Sequence, residues 1–136
     1  MFKISRKTEY AIRGLIYLAR ERRDRYAMLK EIGAATEASH VFLAKIFQTL
    51  NNAHLVESSR GAVGGFRLAR EPEGITLKEI LEATEGPVQV NVCIVDSKNC
   101  HSSDTCSAHV AWKKVRAVLD TTLSEITLKD IAEDRG

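Results

Sequence analysis

Two short apolar stripes divided by a polar break constrain this chain more than any other feature. In MLKEIGAATEASHVFLAKIFQTLNNAHLVESS, Leu29, Ile32 and Ala35 recur at helical spacing, Thr36 to Ser39 interrupt them, and Val41, Leu43, Ile46, Phe47 and Leu50 form the second stripe. Two short helices so joined make a helix-turn-helix, the first bracing the second. Upstream, SRKTEYAIRGLIYLARERR places Ala11, Leu15, Leu18 and Ala19 on one face of a further helix. Downstream, LVESSRGAVGGFRLAR reads as a hairpin, with Leu55-Val56 and Phe66–Leu68 as strands around a tip holding Gly61, Gly64 and Gly65. Helix, helix-turn-helix and Gly-tipped hairpin, in that order, predict a winged helix over residues 1–70. Its helix-turn-helix spans about 28–52 and its wing about 55–69. The expected fold is mainly α with a small β-wing.

Charge agrees with that reading. The formal net charge is only +2, yet residues 1–70 hold 13 Lys/Arg against 6 Asp/Glu, a net +7, and residues 71–136 hold 7 against 12, a net −5. A basic front half suits a polyanion, because cations that neutralise phosphates release condensed counterions. In the second helix of the helix-turn-helix, His40, Phe42, Lys45 and Gln48 are the candidates for the DNA-facing side. Lys45 and Gln48 can reach phosphates or base edges, and Phe42 either touches sugar, backbone or a thymine methyl or joins the core. At the wing tip, Arg60 with Gly61 can enter a minor groove, whose negative potential favours guanidinium.

Other classes fit less well. No apolar run approaches the ~18 residues of a spanning helix, and MFKISRKTEY lacks the apolar centre of a secretory signal, so the expected location is the cytoplasm, with no membrane partner. The chain has no Gly-rich phosphate loop followed by Lys-Ser/Thr and no nucleophile elbow, and an enzyme is not expected.

Residues 71–136 open on Thr76-Leu77-Lys78-Glu79, a capping box whose helix closes at Gly86-Pro87, and a fainter echo, ITLKDIAEDRG, begins at Ile126. After a polar stretch, Val110, Val115, Val118, Leu119 and Leu123 line one side of a long helix. Such a stripe packs back on the first helix or, as expected for a reader of two half-sites, against a second copy of the chain.

All three cysteines lie in that polar stretch, as C-x6-C-x5-C-x2-H from Cys93 through Cys100 and Cys106 to His109. An odd number in a reducing compartment argues against disulfides. Neighbours such as Asp, Ser, Lys and Asn offer no apolar bed for buried thiols. A metal centre fits better. Three thiolates and an imidazole satisfy tetrahedral zinc, although the usual tight knuckle is missing; an iron–sulfur cluster, being wider than one ion, suits ligands spread along a loop. Cys106 and His109, at i and i+3 of a helix start, lie on one side and can approach the same centre.

With SRKTEYAIRGLIYLA, the wing SSRGAVGGFRLAR and that cysteine spacing in this order, the chain resembles the IscR/NsrR family of bacterial iron–sulfur winged-helix transcription regulators. The resemblance covers nearly the whole chain. It implies a homodimer on a pseudo-palindromic double-stranded DNA operator, with a long C-terminal dimerisation helix. Each subunit holds a cluster through Cys93, Cys100 and Cys106 in a loop at about 90–109. The fourth ligand is His109, as in the IscR branch, or Glu9, at the position from which other branches donate a carboxylate across the dimer. Histidine ligation implies 2Fe-2S in preference to 4Fe-4S. The function so implied is a repressor whose operator affinity follows iron–sulfur status, redox state or nitric oxide; the alternative is a winged-helix regulator with a structural Cys3His zinc site. One departure stands out: Ala44 occupies the position of a recognition-helix glutamate in the IscR branch. Operator preference therefore does not carry over.

Overall fold

The protein, as a computed structural model, is described over residues 4–21, 25–59, 64–87 and 107–133. Its first helix, α1 (Arg6–Glu21), buries Ala11, Leu15, Leu18 and Ala19, the four apolar residues that share a face at helical spacing. Helices α2 (Leu29–Thr36) and α3 (His40–Asn52) make the helix-turn-helix. The break is tighter than the polar residues suggest, because Thr36 stays helical and satisfies its buried hydroxyl on the Ile32 carbonyl at 2.8 Å. Glu37 then turns left-handed at φ 62°, its N–H donating to the Gly33 carbonyl to end α2. Ser39 caps α3 by accepting from the Phe42 amide at 3.3 Å.

Phe47, Leu43, Ile46 and Leu50 of α3 meet Leu15, Leu18 and Ile32 in one continuous core. Gly14 makes this approach of α1 to α3 feasible: a Cβ there would stand 2.8 Å from two ring carbons of Phe47. Two members of the expected stripes face outward instead. Ala35 is exposed and Val41 is 67% exposed. At 100° per residue Val41 lies opposite the arc that Leu43, Ile46 and Leu50 bury.

Strands β1 (Val56–Ser59) and β2 (Gly65–Leu68) pair antiparallel, Val56 with Leu68 through Ser59 with Gly65. Ala27 and Phe66 exchange both backbone hydrogen bonds at 2.8 Å, which fastens the wing to the segment before α2. Gly65 permits that contact, since a Cβ would fall 2.5 Å from the Ala27 carbonyl oxygen.

After a 3-10 turn at Pro72–Gly74, helix α4 (Leu77–Glu85) starts on the predicted capping box, with Thr76 and Glu79 bonded reciprocally. The echo at Ile126 has a structural role that its sequence did not disclose. Thr127 and Asp130 form a second reciprocal cap, and the two capped segments pair, Leu77 N–H to the Ile126 carbonyl and Leu128 N–H to the Ile75 carbonyl, each at 2.8 Å. This pairing returns the last helix, α6 (Leu128–Glu133), to α1, and Leu128 and Ala132 join the main core. The long helix α5 (Ser107–Glu125) packs on α4 through Leu119 and Leu123 against Leu77 and Leu81. Among the described residues, no helix is long and apolar enough to cross a membrane.

Candidate nucleic-acid interface and metal centre

The outer face of α3 follows from what its inner face buries. Opposite Leu43, Ile46 and Leu50, the residues Val41, Lys45, Gln48 and Asn52 recur at i, i+4, i+7 and i+11, all exposed. Gln48 Nε2 donates to Asn52 Oδ1 at 3.1 Å, holding the two amides together on this face. His40 is exposed at the first position of α3, off that face on the side of Phe47.

Phe42 sits elsewhere. It is half-buried on the flank towards α1, packed edge-on against Tyr10 with ring centroids 5.6 Å apart and planes at 87°. Arg13 in turn lies 5.2 Å over the Tyr10 ring. Of the four recognition-helix candidates, Lys45 and Gln48 therefore share one face, His40 is exposed at the helix start but off that face, and Phe42 is turned to an aromatic neighbour. Val41 belongs to the exposed set although its sequence context reads as core. Only its phase, one residue off Phe42 and two off Leu43, could have signalled this.

Arg60 and Gly61 lie outside the described residues. Of the wing's other cations, Arg67 is engaged within the fold, paired with Glu57 at 3.0 Å and stacked 4.6 Å over Tyr26. Arg70, just past β2, pairs with Glu79 at 3.1 Å. Both pairs are exposed.

Cys93, Cys100 and Cys106 also lie outside the described residues. The described residues contain no group of three or more His, Cys, Asp or Glu placed to hold a metal. His109 falls in the first turn of α5 and is half-buried. Its Nδ1 is the one buried side-chain nitrogen or oxygen, among those described, that has no hydrogen-bond partner. A buried imidazole nitrogen without a partner is costly, so it marks a place where another group is expected to bind. With three thiols just upstream, the donor set suits a thiolate-bound centre completed by imidazole. Glu9 stands on the exposed side of α1, away from the packed face.

One polar cluster was not foreseen. Ser5 caps α1 through its hydroxyl, and Glu85, the last residue of α4, accepts from the Ser5 amide at 2.9 Å, from the Ser5 hydroxyl and from the fully buried Thr8. The Ser5 hydroxyl, then Thr8, holds the Glu85 carboxyl below the usual carboxylate range. An anion at a helix N-terminus is also favoured by the helix dipole. The cluster ties the end of α4, from which the chain continues towards Cys93, to the start of α1.

Comparison with known proteins agrees with the winged-helix fold. Residues 4–134 match Rrf2, a family described as iron-dependent transcriptional regulators. The chain is 33% identical over 135 residues to the HTH-type transcriptional regulator NsrR of Bacillus subtilis, covering 98% of this chain and 92% of that one. Among solved structures, CymR, the global cysteine regulator of B. subtilis, matches with a TM-score of 0.75 at 32% identity, covering 97% of both chains. T. potens IscR matches with a TM-score of 0.72 at 30% identity, covering 98% of this chain and 88% of the other. The chain belongs to the Rrf2 family of transcriptional regulators.

Proposed function

We propose that this regulator is a cytoplasmic, homodimeric DNA-binding repressor whose operator affinity is set by an iron–sulfur cluster held by Cys93, Cys100, Cys106 and His109. The observation that carries the reading is the unpartnered, buried Nδ1 of His109, three residues after the last cysteine in a family described as iron-dependent. It favours His109 over the exposed Glu9 as fourth ligand, and with it a 2Fe-2S centre over 4Fe-4S. When bound, the cluster supplies a core whose iron content, oxidation state or reaction with nitric oxide can change.

The chain's own residues do the rest. Residues 1–70 read DNA, with Lys45 and Gln48 on the outer face of α3 and Arg60 and Gly61 at the wing tip. His40 is exposed at the start of α3, within reach of a phosphate, and Phe42 steadies α3 against α1 through Tyr10. Residues 71–136 sense and dimerise. The exposed valines of α5, Val110, Val115 and Val118, with Trp112 beside them, supply an apolar face for a second copy, which sets two recognition helices against the half-sites of a pseudo-palindromic operator. Glu85 links the end of α4 to Ser5 and Thr8 of α1, and Gly14 of α1 lies on Phe47 of α3, so a shift near the cysteines has a packed route to the DNA-reading helix. A coupling of ~1–3 kcal/mol between the two arrangements changes operator affinity by about five- to 150-fold.

The test is the visible absorption spectrum of anaerobically purified protein with its iron and acid-labile sulfide content. Iron and sulfide in equal amounts with charge-transfer bands support the reading. A colourless protein that holds zinc replaces it with the structural Cys3His alternative.

A further inference from the structure

Val41 is the most exposed large apolar side chain among the described residues, at 67%. Trp112, Val115 and Val118 follow one another at three-residue spacing on α5, whereas Val41 is the one exposed large apolar residue of α3, one turn before Lys45. A β-branched residue lowers helix propensity, and a side chain this exposed gains little from packing to offset it. Its place is in the first turn after the Ser39 cap. The N-terminal residues of a recognition helix approach the base edges most closely.

The major groove presents one apolar feature to such a side chain, the 5-methyl group of thymine. Phe42, the other apolar residue of this turn, is committed edge-on to Tyr10. Lys45, one turn on, and the bonded Gln48–Asn52 pair beyond it continue the same face with groups suited to phosphate or base-edge contact. We propose that Val41 is a specificity-determining residue that packs on a thymine methyl in each half-site. The inference rests on the DNA-reading function proposed above and adds which residue sets which base.

The probe is a library of duplexes with randomised half-sites, selected by the full-length protein as purified anaerobically. Each thymine of the selected duplex is then replaced in turn by deoxyuridine, which deletes only the methyl group, and binding is followed by fluorescence anisotropy. One replacement per half-site should weaken binding about fourfold, the effect of removing one buried methyl-sized group. In Val41→Ala and Val41→Ser that loss should vanish, while losses at other positions persist. Lys45→Ala should instead weaken binding to every duplex. The proposal is overturned if no thymine replacement matters to the wild type, or if the loss survives undiminished in both Val41 variants. A selection that enriches no sequence at all overturns the DNA-reading function itself.

Discussion

Substituting alanine for glycine separates close packing from helix propensity in this fold, because three glycines meet different neighbours. In the middle of a helix the change is favourable by about 1 kcal/mol on propensity alone. At Gly33 in α2 the new Cβ would meet the Ala38 carbonyl oxygen at 3.4 Å and Leu43 at 3.8 Å, so most of that gain should survive. At Gly14 the Cβ would lie 2.8 Å from two ring carbons of Phe47. That ring is fully buried and leans on Phe66 at 5.2 Å between centroids, so it has little room to retreat. Overpacking of this kind costs roughly 1–3 kcal/mol. Setting the propensity gain against it leaves Gly14→Ala about 0–2 kcal/mol less stable than wild type. Gly65→Ala should lose more, since the Cβ would stand 2.5 Å from the carbonyl oxygen of Ala27, a residue whose backbone is held by two hydrogen bonds to Phe66. The assay is equilibrium urea unfolding at one fixed protein concentration, which the proposed dimer requires. The expected order of stability is Gly33→Ala, wild type, Gly14→Ala, Gly65→Ala. Finding Gly14→Ala as stable as Gly33→Ala would refute the close approach of α1 to α3.

Further predictions follow from the other contacts. The folded-state pKa of Glu85 is depressed, so its contribution is present above the unfolded value of ~4.3 and is lost as pH falls through the folded value. Glu85→Gln should therefore lie about 0.5–1 kcal/mol below wild type at neutral pH, a modest figure for an exposed carboxylate, with the gap closing below about pH 4; a gap constant from pH 7 to 3 contradicts the role given to its charge. Val118→Asp, at a site 65% exposed in the single chain, should convert the dimer to monomer by light scattering while leaving helix content unchanged; an unaltered mass removes α5 from the interface. Cys100→Ser should abolish visible absorption in a folded dimer, and an unfolded variant would assign the site a structural role instead.

Much of the fold was legible because periodicity and burial agree. Ala11, Leu15 and Leu18 recur at helical spacing and are buried, and Thr76 and Glu79 cap α4 where their spacing predicted. Val41 misled because a branched apolar residue at the edge of an apolar run looks like core, and only its angular phase separates it from Leu43. Phe42 was equally ambiguous until Tyr10, 32 positions earlier, was brought beside it. The pairing of the two capped segments and the Glu85 cluster join residues about 50 and 80 positions apart, a separation that local pattern does not encode. The candidate metal site divides in the same way. Its cysteine spacing and His109 are plain in the sequence, whereas the unpartnered Nδ1 is a property of packing.

Control of DNA binding by the proposed cluster is measured by titrating the selected operator with the anaerobic protein and with the same protein after removal of any iron and sulfide, at one salt concentration. The two forms should differ in affinity by fivefold or more. Equal affinities, from a preparation whose iron and sulfide content was measured before and after removal, would contradict it.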